Sequence, residues 1–271
     1  MDGMIASGFA FVLVRPKSPG NMGAAARALK NMGFADLRFV APESRDARPE
    51  IAMAVHAGEV YTAATTYPDL PLAVADCAIV VGTTAHAGPY RSQARPLREA
   101  AAELTSLSTA NRIAIVFGPE DFGLSNDDLK HCPRLITIPA DPDYPSLNLA
   151  QAVMLSTYEL RLALTAPSAP VVVEEFAAAG AVQAMLDRLA QALLQIGFLA
   201  KDNPDHIMFT IREIFGRSGL RARELEIFNG IARQIQWFAT DTRRSSAEPS
   251  KRVLTKAAAR GLARPLELRP K

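Results

Sequence analysis

The feature of this sequence that most constrains its fold is an alternation of short apolar runs with helical segments in its N-terminal part. FAFVLV (9–14), AIVVG (78–82) and RIAIVFG (112–118) are continuous apolar runs, as expected of strands that are buried on both faces. LRFV (37–40) and LITIP (135–139) predict two further strands. Because helical patterns lie between these runs, the order predicts an α/β fold with a parallel sheet and helices on both faces.

The helical patterns can be placed with some detail. They cover 23–32, 50–58, 71–76, 96–104, 125–129 and 148–164. The last two begin with capping-box spacings, Ser125 with Asp128 and Asn148 with Gln151. Both helices are therefore predicted to start directly after a polar loop.

The composition changes after residue 165. TAPSAPVVVEE (165–175) contains two prolines and no periodicity, which indicates a linker. Beyond it only helical periodicity remains, over 180–196, 204–216 and 220–237. The predicted organisation is a sheet domain over 1–165, a linker over 166–179, a helical extension over 180–240 and a basic tail over 241–271.

The basic tail differs in charge from the rest of the chain. After residue 240 nine basic side chains accompany three acidic ones, although the whole chain carries a net charge of only +2. A basic tail on a slightly acidic body favours a polyanionic partner such as a nucleic acid. A solvated tail that only aids solubility is the alternative.

Cysteine content and hydropathy indicate the cellular compartment that suits the chain. Only Cys77 and Cys132 are present, neither at a metal-ligand spacing, so we expect no metal centre or disulfide framework and infer a reducing cytoplasm. The apolar run 4–14 has no basic segment before it and no cleavage site after it, which predicts a buried strand rather than a signal peptide. No apolar stretch reaches about eighteen residues, which argues against a membrane span.

Three polar or glycine-rich loops follow strands of the predicted sheet: GTTAHAG (82–88), GPEDFGLSN (118–126) and IPADPDYPSLN (138–148). In an open parallel sheet, such loops lie beyond the carboxyl ends of the strands, where ligands bind. The chain has neither GxGxxG after its first strand nor GxxxxGK[ST]. A standard dinucleotide site and a P-loop are therefore disfavoured.

The loop and helix after the first strand predict a second polar site. In RPKSPGNMGAAARALKNMGF (15–34), Gly20 and Asn21 predict a tight turn with Asn21 as the helix cap. Gly23 would let a phosphate approach closely, and Arg27 follows one turn later. Exposed amides at a helix start with an arginine nearby favour an anion site. Taken alone, Arg27 is more often an ordinary solvated arginine.

Among the acidic pairs, Glu120 and Asp121 are the better functional candidates because they lie in a strand-end loop. Asp127 and Asp128 lie in the first turn of a helix, where the macrodipole accounts for them. The chain also has four scattered histidines: His56, His86, His131 and His206. They share no ligand spacing, so we interpret them as structural.

Three long motifs in this sequence resemble a known family. GNMGAAARALKNMG (20–33), IVFGPEDFGLSN (115–126) and ITIPADPDYPSLNLAQAVMLSTYE (136–159) resemble, in order, the three motifs of the SpoU branch of the knotted SPOUT RNA methyltransferases. The resemblance covers about residues 9–165. The segment 193–237 is similar to the helical extension of the TrmJ type, whose members methylate the ribose 2′-hydroxyl of the first nucleotide of the tRNA anticodon loop.

The resemblance implies a trefoil knot at the carboxyl end of the sheet and S-adenosylmethionine held by the three loops. The implied cofactor residues are Thr83, Thr84, Ala85, Gly118, Glu120, Ile138, Pro145, Ser146, Leu147 and Asn148. The resemblance also implies catalytic roles for Arg27, Asn21 and Ser146, with Arg27 acting on cofactor held by the other subunit of a homodimer. Since a guanidinium normally stays protonated, charge stabilisation accounts for Arg27 without the general-base role proposed in the family. Pro145 departs from the small polar residue expected at its position.

The sequence therefore predicts a dimeric, cytoplasmic, S-adenosylmethionine-dependent tRNA ribose 2′-O-methyltransferase. The alternatives are a related enzyme acting on ribosomal RNA or another tRNA position, an RNA-binding dimer that has lost activity, and a small-molecule binder of the doubly wound type. The presence of Asn21, Arg27, Gly118, Ser146 and Asn148 argues against lost activity. The missing phosphate fingerprints argue against the small-molecule binder.

Overall fold

The computed structural model describes residues 8–44, 54, 57–85, 94–166, 173–200 and 202–244. Most of the helix predicted over 50–58, the tail beyond residue 244, His56 and His86 lie outside these residues.

Among the described residues, seven parallel strands form one sheet: β1 (Phe9–Val14), β2 (Asp36–Val40), β3 (Thr65–Tyr67), β4 (Ile79–Thr83), β5 (Arg95–Pro96), β6 (Ile113–Phe117) and β7 (Arg134–Thr137). They lie in the order β3-β2-β1-β6-β4-β7-β5. The predicted α/β fold with a parallel sheet is confirmed. Sequence reasoning missed β3 and β5, because both are short edge strands without an apolar run.

The described helices are α1 (Pro19–Asn31), α2 (Gly58–Ala63), α3 (Leu70–Ala73), α4 (Leu97–Leu107), α5 (Asn126–Leu129), α6 (Leu149–Thr165), α7 (Ala179–Gln195), α8 (Asp205–Ser218) and α9 (Ala222–Arg244). Gly58 was predicted to end a helix but begins α2, where Glu59 in the first turn suits the positive end of the helix dipole. None of the described helices is long and apolar enough to cross a membrane.

Helix α1 begins at Pro19 rather than at the predicted Gly23. Ser18 is the N-cap, and its Oγ accepts a hydrogen bond from the N–H of Asn21 at 3.4 Å. Gly20 and Asn21 therefore lie inside the first turn, and the predicted tight turn capped by Asn21 is wrong. Proline suits the first helical position because its φ is already helical and an N–H there would have no partner.

Alternate residues of β1 enter two apolar clusters, one on each face of the sheet. Phe11 and Leu13 pack with residues of α1, α4 and α6, while Val12 and Val14 pack with residues of α3 and α5. All four side chains are fully buried. Burial on both faces explains why the inner strands are continuous apolar runs rather than alternating ones.

The helical extension has an apolar core of its own, in which side chains of α7, α8 and α9 pack together. The segment before it is hydrogen-bonded on both sides. The N–H of Ala179 donates to the carbonyl of Cys77 at 2.7 Å, and the N–H of Ala177 donates to the carbonyl of Leu220 at 2.6 Å. The bond to Cys77 holds the extension against the sheet domain, at the turn between α3 and β4.

Candidate functional site

The three predicted loops meet in one pocket at the carboxyl end of the sheet, called here the loop pocket. Nine of the predicted cofactor residues line it: Thr83, Thr84, Ala85, Gly118, Glu120, Ile138, Pro145, Ser146 and Leu147. Residues 86–88 of the first loop lie outside the described residues. The structure thus brings these side chains together, and their binding of a cofactor stays a prediction.

The first loop is held to its neighbours at the end of β4. Thr83 Oγ1 donates a hydrogen bond to the carbonyl of Val116 at 3.0 Å. The N–H of Thr84 donates to the carbonyl of Ile136 at 3.0 Å. The loop is therefore anchored to both β6 and β7 where it enters the pocket.

The second loop folds back on itself so closely that only glycine fits at its start. A Cβ on Gly118 would lie 2.1 Å from the carbonyl carbon of Gly123 and 2.2 Å from the nitrogen of Leu124. Gly123 has a φ of +66°, and its N–H donates to the carbonyl of Pro119 at 3.0 Å. Glycine at both positions lets the backbone itself form the pocket wall.

The third loop ends at the N-terminus of α6. Asn148 is the N-cap, and its Oδ1 accepts hydrogen bonds from the N–H of Ala150 at 2.9 Å and of Gln151 at 3.3 Å. This confirms the predicted cap. Pro145 and Ser146 line the pocket just before it, and Pro145 offers no N–H there.

A chain of side-chain hydrogen bonds ties the loops to α1. Asn148 Nδ2 donates to Asn21 Oδ1 at 2.9 Å, and Asn21 Nδ2 donates to Glu120 Oε1 at 2.7 Å. The Glu120 carboxylate also accepts from the N–H groups of Lys17 and Ser18, both at 3.1 Å. Asn21 therefore joins the second and third loops to the segment that opens α1, and we refer to these contacts as the Asn21 tie.

The Asn21 tie fixes the charge state of Glu120. Partial burial raises the pKa of the Glu120 carboxyl, but the hydrogen bonds from Asn21, Lys17 and Ser18 together outweigh burial and leave the pKa below its usual value. Glu120 is therefore ionised at neutral pH, and its oxygens are occupied by the start of α1.

Arg15 and Asp128 form an ion pair that sequence reasoning missed. Arg15 Nη1 and Nη2 donate to the two carboxylate oxygens of Asp128 at 3.1 and 2.5 Å. Asp128 also completes the predicted capping box with Ser125, which is confirmed. Asp128 is thus more than a first-turn acid that complements the helix dipole, because it also holds the end of β1 against the second loop.

Arg27 lies outside the loop pocket, in an open groove between α1 and α6 that we call the α1–α6 groove. Arg27 shares this groove with Asn21, Asn31, Asn148 and Gln151. Its side chain is exposed and has no ion-pair partner in the described part of the chain. Asn21 and Asn148 line this groove and not the loop pocket, although Asn148 was predicted to bind the cofactor. Asn21 reaches the loop pocket through its hydrogen bond to Glu120, whereas Arg27 and Ser146 of one chain line different cavities.

Two aromatic side chains project from the rim of the loop pocket. Phe122 is 72% exposed in the second loop, and Tyr144 is 79% exposed in the third. The ammonium of Lys17 lies 5.4 Å from the centre of the Phe122 ring. Sequence reasoning missed both, although an aromatic residue within a polar loop without helical or strand periodicity is a usable signal.

The two described histidines, His131 and His206, do not line the loop pocket. His131 is largely buried, and burial together with the charge of Arg212 lowers its pKa. The structural role predicted for them stays a prediction.

The chain matches two family models. The first is the SpoU rRNA Methylase family, over residues 8–158. The second is tRNA methyltransferase TrmJ, C-terminal domain, over residues 180–249.

Relatives of known function resemble the chain over most of its length. It is 37% identical over 237 residues to the tRNA (cytidine/uridine/adenosine-2′-O-)-methyltransferase TrmJ of Pseudomonas aeruginosa, which covers 83% of this chain and 92% of that protein. It is also 37% identical over 232 residues to the tRNA (cytidine/uridine-2′-O-)-methyltransferase TrmJ of Yersinia enterocolitica, with 83% and 90% covered. Its fold is similar to the crystal structure of TrmJ from Z. mobilis ZM4, with a TM-score of 0.72, 32% identity, and 84% of this chain and 98% of that chain covered.

Proposed function

Because this chain belongs to the SpoU methylase family and carries a TrmJ-type C-terminal domain, we propose that it transfers the methyl group of S-adenosylmethionine to a tRNA ribose 2′-hydroxyl. The nucleotide modified is the first of the anticodon loop. The observation that carries the proposal is the convergence of the three loops on one pocket. The second and third family motifs supply two of these loops, and the Asn21 tie joins the pocket to the first motif, the helix that bears Arg27.

The donor set of the loop pocket fits S-adenosylmethionine. Ile138, Leu147 and Leu149 offer apolar surface for a flat heteroaromatic ring. The glycine-rich second loop exposes backbone groups at close range, and Ser146 adds a hydroxyl at the edge. When bound, S-adenosylmethionine supplies an electrophilic methyl group on a sulfonium.

Arg27 serves the reaction through its charge. Methyl transfer is an in-line displacement, which requires the ribose 2′-oxygen to be held in one orientation. A guanidinium that stays protonated can clamp a neighbouring phosphate and stabilise negative charge as it develops on that oxygen. The 2′-hydroxyl proton then passes to solvent water as the oxygen takes the methyl group, without Arg27 acting as the base.

The working enzyme is a homodimer in which the α1–α6 groove of one subunit lies against the loop pocket of the other. Support comes from the position of Arg27, which is exposed in the groove and separate from Ser146 in its own chain. An active site completed across a two-fold interface would bring the two cavities together.

The carboxyl end of the sheet forms the trefoil knot. Strand β7 pairs with both β4 and β5, although these two strands precede it in the chain with no other strand between them. This connectivity supports the proposal, because a late strand is inserted between two earlier ones. The loop after β7 then packs against the end of β4.

Transfer RNA is favoured over ribosomal RNA because the helical extension is of the TrmJ type. Exposed Phe122 and Tyr144 at the rim of the loop pocket suit RNA, since unpaired bases stack on aromatic side chains. The basic tail predicted beyond residue 240 adds positive charge for phosphate contacts.

The test is to incubate the protein with isotopically labelled S-adenosylmethionine and total tRNA, and in parallel with ribosomal RNA. The methylated ribose is then mapped by nuclease digestion and mass spectrometry. Label at the first anticodon-loop nucleotide supports the proposal. Label only in ribosomal RNA or at another tRNA position would show that this RNA or position is the substrate instead. No transfer to any RNA would refute the proposed activity.

A further inference from the structure

A second pocket lies between the edge of the sheet and the helical extension, away from the three loops. Its walls come from α4, β7 and α8, and we call it the Arg212 pocket. Its volume is about 210 Å³, several times the roughly 30 Å³ that one water molecule occupies in the liquid. The pocket opens beside the start of β7, whereas the loop pocket lies beyond the carboxyl end of the same strand.

Cationic side chains dominate the charged lining of this pocket. They are Arg95, Lys130, Arg134, Arg212 and Arg217, and the carboxylates that line it are Glu103 and Glu213. The lining therefore carries an excess of three positive charges. This excess lies outside the basic tail, in a part of the chain that is slightly acidic overall.

Three of these cations are already paired. Glu103 accepts hydrogen bonds from Arg95 at 2.5 Å and from Arg134 at 3.1 Å. Lys130 Nζ lies 2.9 Å from Asp127 and 3.1 Å from Asp205. Because the Asp127 and Asp205 side chains are 88% and 59% exposed, water partly screens their charges.

Arg212 differs from the paired cations. Its side chain is only 14% exposed, and its buried Nε and Nη1 atoms have no hydrogen-bond partner within the described ranges. The carboxylate of Asp205 lies 3.8 Å from Nη1, too far for a hydrogen bond. Buried donors on a charged group cost free energy when no acceptor meets them. Because these two atoms have less than 1 Å² of accessible surface, an anion in the pocket would supply the acceptors once the guanidinium turns toward it.

The neighbouring thiol and imidazole groups add no charge to the Arg212 pocket, so its positive charge comes from its arginines and Lys130. Cys132 lines the pocket, but burial raises the pKa of its thiol, so it supplies no thiolate. Burial and the charge of Arg212 lower the pKa of His131, which keeps the imidazole neutral near pH 7. Apolar Leu104 and Phe209 exclude water from the wall and so strengthen charge interactions inside.

We propose that the Arg212 pocket binds a phosphate group, with the guanidinium of Arg212 as its principal ligand and Arg134 and Lys130 as neighbouring cations. The planar fork of arginine matches two phosphate oxygens at once, which makes phosphate the best fit to a buried guanidinium whose Nε and Nη1 have no hydrogen-bond acceptor in the described residues. The phosphate comes either from an RNA backbone or from free phosphate. The phosphate site does not rest on the proposed function. Only the assignment of its phosphate to an RNA backbone rests on it.

The test is calorimetric titration of the full-length protein with inorganic phosphate, at an ionic strength held constant with chloride and without RNA or S-adenosylmethionine. Saturable binding is expected in the wild type. Arg212→Gln should weaken it by about tenfold or more, as for the loss of charge-assisted hydrogen bonds. Arg188→Gln removes an exposed arginine of α7 outside the pocket and should leave phosphate affinity unchanged.

Two further variants keep the proposal testable if Arg212→Gln does not fold. Arg134→Gln should weaken phosphate binding, whereas Glu103→Gln should tighten it, because it frees Arg95 and Arg134 from their carboxylate. A gain in affinity is a result that misfolding does not produce. No saturable binding in the wild type, equal affinity in all the variants, or acetate binding as tightly as phosphate would overturn the proposal.

The source of the phosphate is found by repeating the titrations with tRNA. If the group belongs to an RNA backbone, inorganic phosphate competes with tRNA, and Arg212→Gln lowers the slope of log affinity against log salt by about one. If the phosphate is free, tRNA affinity is the same in the variant and the wild type. Both results keep the site, and since the phosphate titration uses neither RNA nor S-adenosylmethionine, its failure would leave the methyltransferase proposal standing.

Discussion

The loop pocket and the α1–α6 groove lie side by side, yet their functional residues are held in different ways. In the loop pocket, Thr83 is hydrogen-bonded to Val116, and Gly118 packs against the backbone of its own loop. In the groove, Arg27 is exposed and has no ion-pair partner among the residues the structure describes. The contrast agrees with the proposed division of work, in which the loop pocket binds the cofactor and the groove of another subunit acts on it.

Asn21 connects these two regions. It lies on the first turn of α1, six residues before Arg27, and its side chain is hydrogen-bonded to Glu120 and Asn148. These hydrogen bonds connect the second and third loops to the helix that carries Arg27. Variants that change one region and are measured in both test whether the loop pocket and the groove have separate roles.

The largest effect is expected from Arg27→Ala. We expect the transfer rate to fall about 100- to 1,000-fold, as when a charge-stabilising donor is removed from a transition state. S-adenosylmethionine affinity should stay at the wild-type level because Arg27 does not line the loop pocket of its own chain. Single-turnover methylation and calorimetric titration with S-adenosylmethionine measure the two quantities.

The exposed Arg188→Ala variant, with the same side-chain change in α7, serves as the control and should retain wild-type transfer. Arg27→Lys keeps the charge but loses the fork, so an intermediate rate is expected. If Arg27→Ala lost cofactor affinity together with rate, Arg27 would contribute to cofactor binding, and the proposed separation of binding from transfer would be wrong.

The next effect is expected from Gly118→Ala, which acts on the loop pocket alone. The added Cβ would lie 2.1 Å from the Gly123 carbonyl carbon, so the second loop must move. We expect the free energy of unfolding to fall by about 1–3 kcal/mol, as for other overpacking changes. Weaker S-adenosylmethionine binding should accompany it. Urea denaturation and calorimetry measure both.

Gly230→Ala is the matched control because a Cβ there meets nothing within 4 Å and the position lies in the middle of α9. It should raise stability by about 0.5–1 kcal/mol through helix propensity. Equal behaviour of the two variants would show that the close approach at Gly118 does not shape the pocket.

A smaller effect is expected from Phe122→Ala at the rim of the loop pocket. Loss of one stacked base costs about 1 kcal/mol, so tRNA affinity should fall about fivefold while S-adenosylmethionine affinity is kept. Leu72→Ala removes an exposed apolar side chain of α3 and should leave tRNA affinity unchanged. Unchanged tRNA affinity in Phe122→Ala would show that the Phe122 ring is not part of the RNA-binding surface.

What sequence alone predicts correctly here depends on short-range patterns. The inner strands are recognisable because two-sided burial demands an unbroken apolar run, as in Phe9–Val14. The caps at Ser125 and Asn148 are recognisable because donor and acceptor lie two or three residues apart. The start of α1 was misplaced because Ser18 and Asn21 are both good cap residues, and only the backbone geometry decides between them.

The features that sequence reasoning missed depend on contacts between distant parts of the chain. Asn21 reaches Glu120 across 99 residues and Asn148 across 127. Arg15 and Asp128 are separated by 113 residues, and the desolvation of Arg212 arises only when α8 packs over the start of β7. Residue type shows that such groups can form hydrogen bonds, but only the fold decides their partners.

The smallest effect concerns the Asn21 tie and its dependence on pH. The hydrogen bonds to Glu120 lower its pKa in the folded state, so the stabilisation is fully present above the unfolded value of 4.5. It is lost as pH falls through the lower folded pKa.

Glu120→Gln should therefore reduce the free energy of unfolding by about 1 kcal/mol at pH 7, and this difference from the wild type should shrink as pH drops below 4.5. Urea denaturation across that pH range measures it, with exposed Glu226→Gln as control. A difference that is independent of pH would show that the ionised carboxylate does not hold the two regions together.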